Sequence, residues 1–350
     1  MVGFVAGSQP DRDGPAKHDF WCAQGWVFMK LRLGIIFGLM SSFYEIGSRY
    51  HLNPMMTSRF LHSARPRLCG LAALAFSCVA GLAPVSLQAD ENALGFTYGA
   101  DTLPKGASEI YQIVTSRTGK AAGSYSALDV QTEFEHGFTD KLQGSLYLNA
   151  IDHDISGVPG TTDRNQTGFN GAQVSVKYNL RSADRGGWGV AVYLEPGYKR
   201  YSGRSGKRED IYFLEPKLIL QRNFLDDTLI WSTNLGVEFE REQDLGRGAS
   251  HGEWSSELEL EASSGVSYRF APGWFAGVEG LYKSAYEHMR LNEMGENAFF
   301  FGPNVHYANA RWWATLAVLP QISGWPENKD SRNLHNYEAL MIRLKLGFHF

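Results

Sequence analysis

Leu229-Ile230-Trp231-Ser232-Thr233-Asn234-Leu235-Gly236-Val237-Glu238-Phe239-Glu240 is the stretch on which the reading of the fold turns. Leu229, Trp231, Leu235, Val237 and Phe239 share one parity; Ser232, Asn234, Glu238 and Glu240 share the other. In an extended chain side chains alternate across the sheet, so each set takes one face. The next segment repeats the pattern. Trp254, Leu258, Leu260, Val266 and Tyr268 oppose Glu257, Glu259, Glu261 and Arg269. Two architectures accept it. A soluble sandwich packs the apolar faces together in a dry centre. A closed barrel in lipid turns them outward and keeps the polar faces inside.

Working outward, the same alternation marks twelve segments: 107–118, 124–138, 141–152, 167–181, 187–201, 210–224, 228–242, 253–270, 274–287, 296–308, 311–323 and 337–350. Leu128, Val130, Thr132, Phe134 and Phe138 oppose Asp129, Gln131, Glu133 and Glu135 in the second. Leu142, Leu146 and Leu148 oppose Lys141, Gln143, Ser145 and Asn149 in the third. Connections after even-numbered segments are tight, such as Thr139-Asp140 and Ala271-Pro272-Gly273. Most of those after odd-numbered segments are longer, such as 153–166 and 324–336. Membrane barrels sort their loops this way, with short periplasmic turns and longer outward loops. A sandwich has no reason to. Phe138, Trp188, Phe224, Phe270, Trp274, Tyr307 and Trp312 gather beside the tight turns, as amphipathic rings do at a membrane–water boundary. The expected fold is all-β, a transmembrane antiparallel β-barrel of about twelve strands with up-and-down topology. Pro196, Pro216, Pro303 and Pro320 fall inside these strands and oppose the count, because proline donates nothing to a ladder. Bulges, or a shorter pair of strands, are the expected accommodation.

Charge and cysteine bound the function. Residues 90–350 hold 25 Lys/Arg against 33 Asp/Glu, which argues against a nucleic-acid partner. Cys22, Cys69 and Cys78 all precede residue 90, so that body has no disulfide, thiolate metal site or cysteine nucleophile. Residues 55–89 read as a signal peptide. Arg59, Arg65 and Arg67 precede the apolar run Leu68–Leu82, and Ser86-Leu87-Gln88-Ala89 offers cleavage near Ala89. Residues 1–54 read as an upstream mis-start, with Met55 or Met56 the true start, or as a disordered extension. Residues 90–106 read as a periplasmic lead-in and 107–350 as the barrel. The expected location is the bacterial outer membrane, after Sec-type export.

The chain ends in Leu340-Met341-Ile342-Arg343-Leu344-Lys345-Leu346-Gly347-Phe348-His349-Phe350. Ile342, Leu344, Leu346, Phe348 and Phe350 form a period-two stripe that resembles the insertion signal of outer-membrane barrels. That likeness implies outer-membrane lipid and the barrel-assembly machinery as partners. Three further stretches, Phe96-Thr97-Tyr98-Gly99-Ala100-Asp101-Thr102-Leu103-Pro104-Lys105-Gly106, Arg117-Thr118-Gly119-Lys120 and 133–143 (EFEHGFTDKLQ), resemble an uncharacterised proteobacterial outer-membrane β-barrel family of unknown function. The resemblance implies fold and location and carries no catalytic residue.

Parity places many charges inside. The acidic candidates are Glu195, Glu215, Glu238, Glu240, Glu257, Glu259 and Glu261, with Asp129, Glu133 and Glu135 on the second strand. The basic candidates are Lys177, Lys199, Lys217, Lys283, Arg343 and Lys345. Two readings stay open: a charge network that braces a narrow barrel, or an acidic lining that favours a small cationic solute. A hairpin centred near Gly206 puts Glu195 opposite Lys217, an expected cross-strand ion pair. No catalytic residue, metal ligand or cofactor is expected. His251 and Ser255 lack the spacing of a lipid hydrolase, and Asp152, His153, Asp154 and Asp163 lack an ordered ligand spacing. The leading expectation is a narrow passive channel with an acidic lumen. Its alternatives are a structural or ligand-binding barrel using the loops at 153–166 and 324–336, and a lipid-modifying enzyme.

Overall fold

The computed structural model describes residues 92–183, 186–246 and 251–350. The leader and upstream readings therefore lie outside the described residues. Twelve strands follow in order: β1 (Ser108–Thr118), β2 (Ser124–Thr139), β3 (Leu142–Ser156), β4 (Arg164–Arg181), β5 (Trp188–Tyr201), β6 (Arg208–Phe224), β7 (Leu229–Asp244), β8 (Trp254–Ala271), β9 (Trp274–Glu287), β10 (Met294–Ala308), β11 (Trp312–Trp325) and β12 (Leu340–His349). Each pairs antiparallel with its sequence neighbours, and β1 pairs with β12 from Glu109↔His349 to Thr118↔Leu340, which closes the barrel. No described helix is long and apolar enough to cross a membrane.

Alternation sorts the side chains as expected. Val174, Val192, Leu194, Leu218, Leu235, Val278 and Leu344 stand exposed on the outer surface. Glu133, Lys177, Asn179, Glu195, Ser232, Asn234 and Lys345 are buried on the inner side of the sheet. A closed surface this apolar is stable only in apolar surroundings. Phe138, Trp188, Phe224, Phe270, Trp274 and Trp312 lie exposed beside the tight turns. Trp274, Tyr307 and Trp312 pack in series there, with centroids 4.8 and 4.9 Å apart.

The four prolines leave the strand count intact, and all four face outward. β4 and β5 pair at Gln173↔Gly197 and again at Val176↔Leu194, so the ladder is open beside Pro196. β6 and β7 pair at Leu214↔Phe239 and next at Lys217↔Gly236, open beside Pro216. β10 and β11 skip from Phe300↔Gln321 to Asn304↔Ala317, which frees Pro303 on one strand. Pro320 falls in the same gap and holds the last pair with β12, opposite Leu340. Each proline thus adjoins a local break in a ladder, where its missing N–H removes little.

Two expectations need correction. The strands flanking the third connection run further than the alternation suggested, so the loop is 157–163 and not 153–166. The hairpin of β5 and β6 opposes Glu195 to Glu215 and Tyr193 to Lys217. Its turn is centred about one residue before Gly206, and one residue at the centre moves every partner by two. The Glu195–Lys217 ion pair therefore does not form; Lys217 pairs with Glu215 on its own strand at 3.0 Å.

A charge on the outer belt tests the sorting. Leu194→Arg should destabilise the folded barrel by about 2–4 kcal/mol. Glu195→Gln, one residue along but inward, should shift the same transition far less. The heat-modifiable gel band across a urea series reads both.

Candidate functional site: the barrel interior

Asn92 to Lys105, read from sequence as a lead-in, lies largely within the barrel. Its partners establish this. Leu103 N donates to Gln143 Oε1 of β3 at 2.7 Å. Asn179 Nδ2 of β4 donates to Ala100 O at 2.8 Å, and Ala100 N donates to Gln221 Oε1 of β6 at 2.7 Å. Tyr98 N donates to Asn234 Oδ1 of β7 at 2.6 Å, and Asn234 Nδ2 returns a bond to Tyr98 O at 3.0 Å. Gly95 N and Phe96 N donate to the two carboxylate oxygens of Glu279 on β9 at 2.8 and 2.9 Å. Thr315 Oγ1 of β11 and Lys345 Nζ of β12 donate to Asn92 at 2.7 and 2.5 Å. Followed from Leu103 back to Asn92, the partners run through β3, β4, β6, β7, β9, β11 and β12. A short segment that touches strands around nearly the whole circumference can do so only from inside. We call it the inner strap.

The strap has no strand partner, so its backbone groups need side chains, since buried ones are costly unpaired. Inward Asn, Gln and Glu residues supply them. Gly95 is required by space: a Cβ there would lie 2.4 Å from Ala317 Cβ. Phe96 joins Leu281, Ala298, Phe300, Ala317, Leu319, Tyr337 and Met341 in an apolar cluster. The interior over β9–β12 therefore contains an apolar patch between its inward charges, where parity alone suggested a polar lining throughout. Tyr98 lies across the axis. Lys217 of β6 and Lys345 of β12, half the barrel apart in strand order, approach its ring at 5.1 and 5.4 Å. It also stacks on Tyr193 at 5.7 Å. Burial first, and then the nearby Glu133, push its phenol well above the ordinary tyrosine range, so it stays neutral. From Asn92 to Ala100 every residue but Tyr98 is buried.

That upper space is acidic. Glu238 and Glu240 of β7 pair with Lys199 of β5 at 2.7 and 2.9 Å. Glu261 of β8 pairs with Lys283 of β9 at 3.4 Å. Glu257 of β8 and Glu296 of β10 take Arg204 at 2.9 and 2.7 Å, and Glu259 takes the same guanidinium. Six glutamates thus share three cationic side chains. Carboxylate oxygens of Glu240, Glu257 and Glu259 lie within 4.8 Å of one another. Arg117 of β1 and Asp129 of β2 pair at 2.7 Å. Lower down, Glu195 accepts from Tyr193 and from Gln173, Glu135 accepts from Gln143 and Ser145, and Glu133 is buried. Arg343 lies 3.9 Å over the Phe96 ring, and Lys177 reaches Gly99 O at 3.3 Å. The predicted charges are thus drawn into networks, and some of them hold the strap.

Arg204, Glu279, Glu296 and Gln221 were missed by the sequence reading, and Asn234 was placed on the inward parity without a role. Glu279 shares the parity of Lys283 on the same strand, so its inward direction was legible. The other candidate chemistry disperses. His153 points inward from β3 and is fully buried, while Asp152 bonds Thr167 and Asp163 caps Gly157 N at 2.7 Å. His251 is exposed and bonds Gly246 O. Ile342, Leu344, Leu346, Phe348 and Phe350 stand on the outer parity at the β12 end.

Closed, antiparallel, twelve-stranded, apolar outside and charged within, the fold belongs to the class of transmembrane β-barrels. The chain belongs to the DUF6662 family, a family of unknown function whose model matches residues 86–350. None of the curated proteins compared with the chain matches it. Among solved structures it is similar to the COG4313 outer membrane channel from Pseudomonas putida F1, with a TM-score of 0.55 at 11% identity over 72% of this chain and 98% of that one. The NanC porin gives 0.43 at 14% identity, over 68% and 98%. LpxR from Salmonella typhimurium gives 0.39 at 9%, over 69% and 100%.

Two outcomes test this interior. Glu279→Ala strands the N–H groups of Gly95 and Phe96, each at a cost of about 1–3 kcal/mol. Faster amide exchange at those two residues is expected, with Glu279→Gln intermediate. The second concerns Lys120 in the β1–β2 loop, whose Nζ donates to Asn336 O at 2.6 Å. Burial, opposed by Glu338, lowers its pKa to about 8. An unfolded lysine titrates near 10.4. Between about pH 8 and 10.4 the unfolded chain binds more protons, so stability should rise with pH across that window and be lost again as pH falls to 8. Lys120→Met should abolish that rise, and NMR of methylated lysines should give Lys120 a midpoint near 8.

Proposed function

We propose that the chain is an outer-membrane channel, narrow and passive, whose acidic upper lumen favours small cations. The observation that carries this reading is the six-to-three imbalance of glutamates over their cationic partners, held inside a closed wall with an apolar exterior. Charged side chains lining a pore select by sign. Such a lining has no role against lipid and a direct one against a solute. The Pseudomonas putida barrel to which the chain is similar is an outer membrane channel, which supports this reading. The strap favours a second reading, a barrel closed at Tyr98 that serves structure or binding.

Planar-bilayer recording decides between them. The wild-type chain should give small steps with a reversal potential shifted toward the cation in a salt gradient. Tyr98→Ala should raise the conductance at least twofold and keep the cation preference. Glu257→Gln with Glu259→Gln should weaken that preference. Silence from both wild-type and Tyr98→Ala proteins, each shown to be folded by its heat-modifiable band, would refute the channel and leave the closed barrel.

A further inference from the structure

The β5–β6 connection, Ser202-Gly203-Arg204-Ser205-Gly206-Lys207, does not stand out into solvent. None of its residues is more than half-exposed, whereas 288–292 on the same side are all exposed. The loop is held in shape by Ser202 N donating to Lys207 O and Gly206 N to Ser202 O, each at 2.9 Å. Some outside partners are near, since Lys207 pairs with Asp244 of the adjacent β7 at 2.6 Å, but others lie far from its own hairpin. Arg117 Nη2 of β1 donates to Gly203 O at 2.7 Å, and Arg164 Nη1 of β4 donates to Gly206 O at 3.1 Å. Arg204 reaches Glu257 and Glu259 on β8 and Glu296 on β10, and lies 5.7 Å over the Tyr337 ring of the β11–β12 connection. A loop rooted between β5 and β6 that touches β1, β8 and β10 must cross the mouth of the barrel.

We infer that this loop is a latch: Arg204, seated on three glutamates and a tyrosine ring, holds the loop shut across the long-loop mouth, and releasing that guanidinium opens the acidic space beneath. Only one side chain fastens the loop to the β8–β10 wall. The Arg117 and Arg164 bonds grip the loop's backbone from other sides and act as its pivot. All partners of Arg204 except the ring are carboxylates that are partly hydrated, with side chains 12–28% exposed, and Arg204 itself is 35% exposed. Such contacts weaken as ionic strength rises. The inner strap, bonded through buried amides and carboxylates, has no comparable sensitivity. High salt therefore opens the mouth and leaves the floor in place. The inference rests on the channel reading for its purpose, but the following test requires no conduction.

Residues 92–350 have no cysteine, so with Cys22, Cys69 and Cys78 each changed to Ser a single introduced thiol reports cleanly. Asn149→Cys places one on the inward face of β3, half-buried, above Tyr147 and below the loop. A small neutral methanethiosulfonate serves as probe, so the lumen charge does not bias its entry. In purified protein with a heat-modifiable band, Arg204→Ala should speed labelling of this thiol at least fivefold. Arg204→Lys should give a smaller increase. Raising salt from 50 mM to 1 M should speed labelling in the Arg204 protein and leave the Arg204→Ala protein unchanged. Equal rates with and without Arg204, or no labelling in either folded protein, would overturn the latch. Neither result bears on whether the barrel conducts, which the bilayer measurement answers separately.

Discussion

Inside a bilayer no water is available to satisfy a peptide N–H or C=O, so a spanning sheet must have no free edge. The pairing of β1 with β12 meets that demand, and much else in this chain follows from it. Closure fixes an even strand number and brings both strand ends to the short-turn rim. It divides every strand into a lipid parity and a lumen parity. It also explains why the prolines lie where they do. A missing donor is tolerable where the ladder is already open, and each of the four adjoins such a gap.

Closure creates an interior that must itself be filled. Twelve strands enclose more space than alternating side chains pack unaided. The chain fills it in two chemistries. One patch over β9–β12 is apolar, with Phe96 from the strap and Tyr337 from the last loop against Leu281, Phe300 and Leu319. Elsewhere the filling is ionic and hydrogen-bonded, and amide side chains take the place of a strand partner for the strap. The same glutamates that read as a repelling cluster in the linear sequence are mostly engaged. Lys199 takes two and Arg204 three. The excess of acid that survives this pairing lies in the upper space.

Period two carries the barrel well in this sequence because lipid and water impose opposite demands on alternate residues. Leu229 to Glu240 could be sorted by eye, and parity sent every charge chosen from it inward. What parity cannot carry is register and anything without a period. The Glu195–Lys217 pairing failed because one residue at the turn centre moves partners by two. The strap was unreadable for a deeper reason. Asn92 to Lys105 has no alternation of its own, and its course is set by Gln143, Asn179, Gln221, Asn234 and Glu279, residues scattered over the whole chain. Arg204 is absent from the sequence candidates because nothing local shows that its loop turns inward. Only three distant glutamates show it.

The two obstructions differ in kind, and the difference has a physical consequence. The floor is held by about ten bonds distributed around the wall, most of them buried and neutral or charge-assisted. Losing one leaves the others, so the strap yields only as a unit, in the manner of a cooperative local unfolding. The mouth loop is fastened to the β8–β10 wall by one guanidinium on partly hydrated carboxylates, and its loss leaves the loop on the Arg117, Arg164 and Lys207 contacts alone. A barrel built this way separates two tasks by energy. On the latch reading, access to the acidic space responds to ionic strength, while the strap beneath it does not.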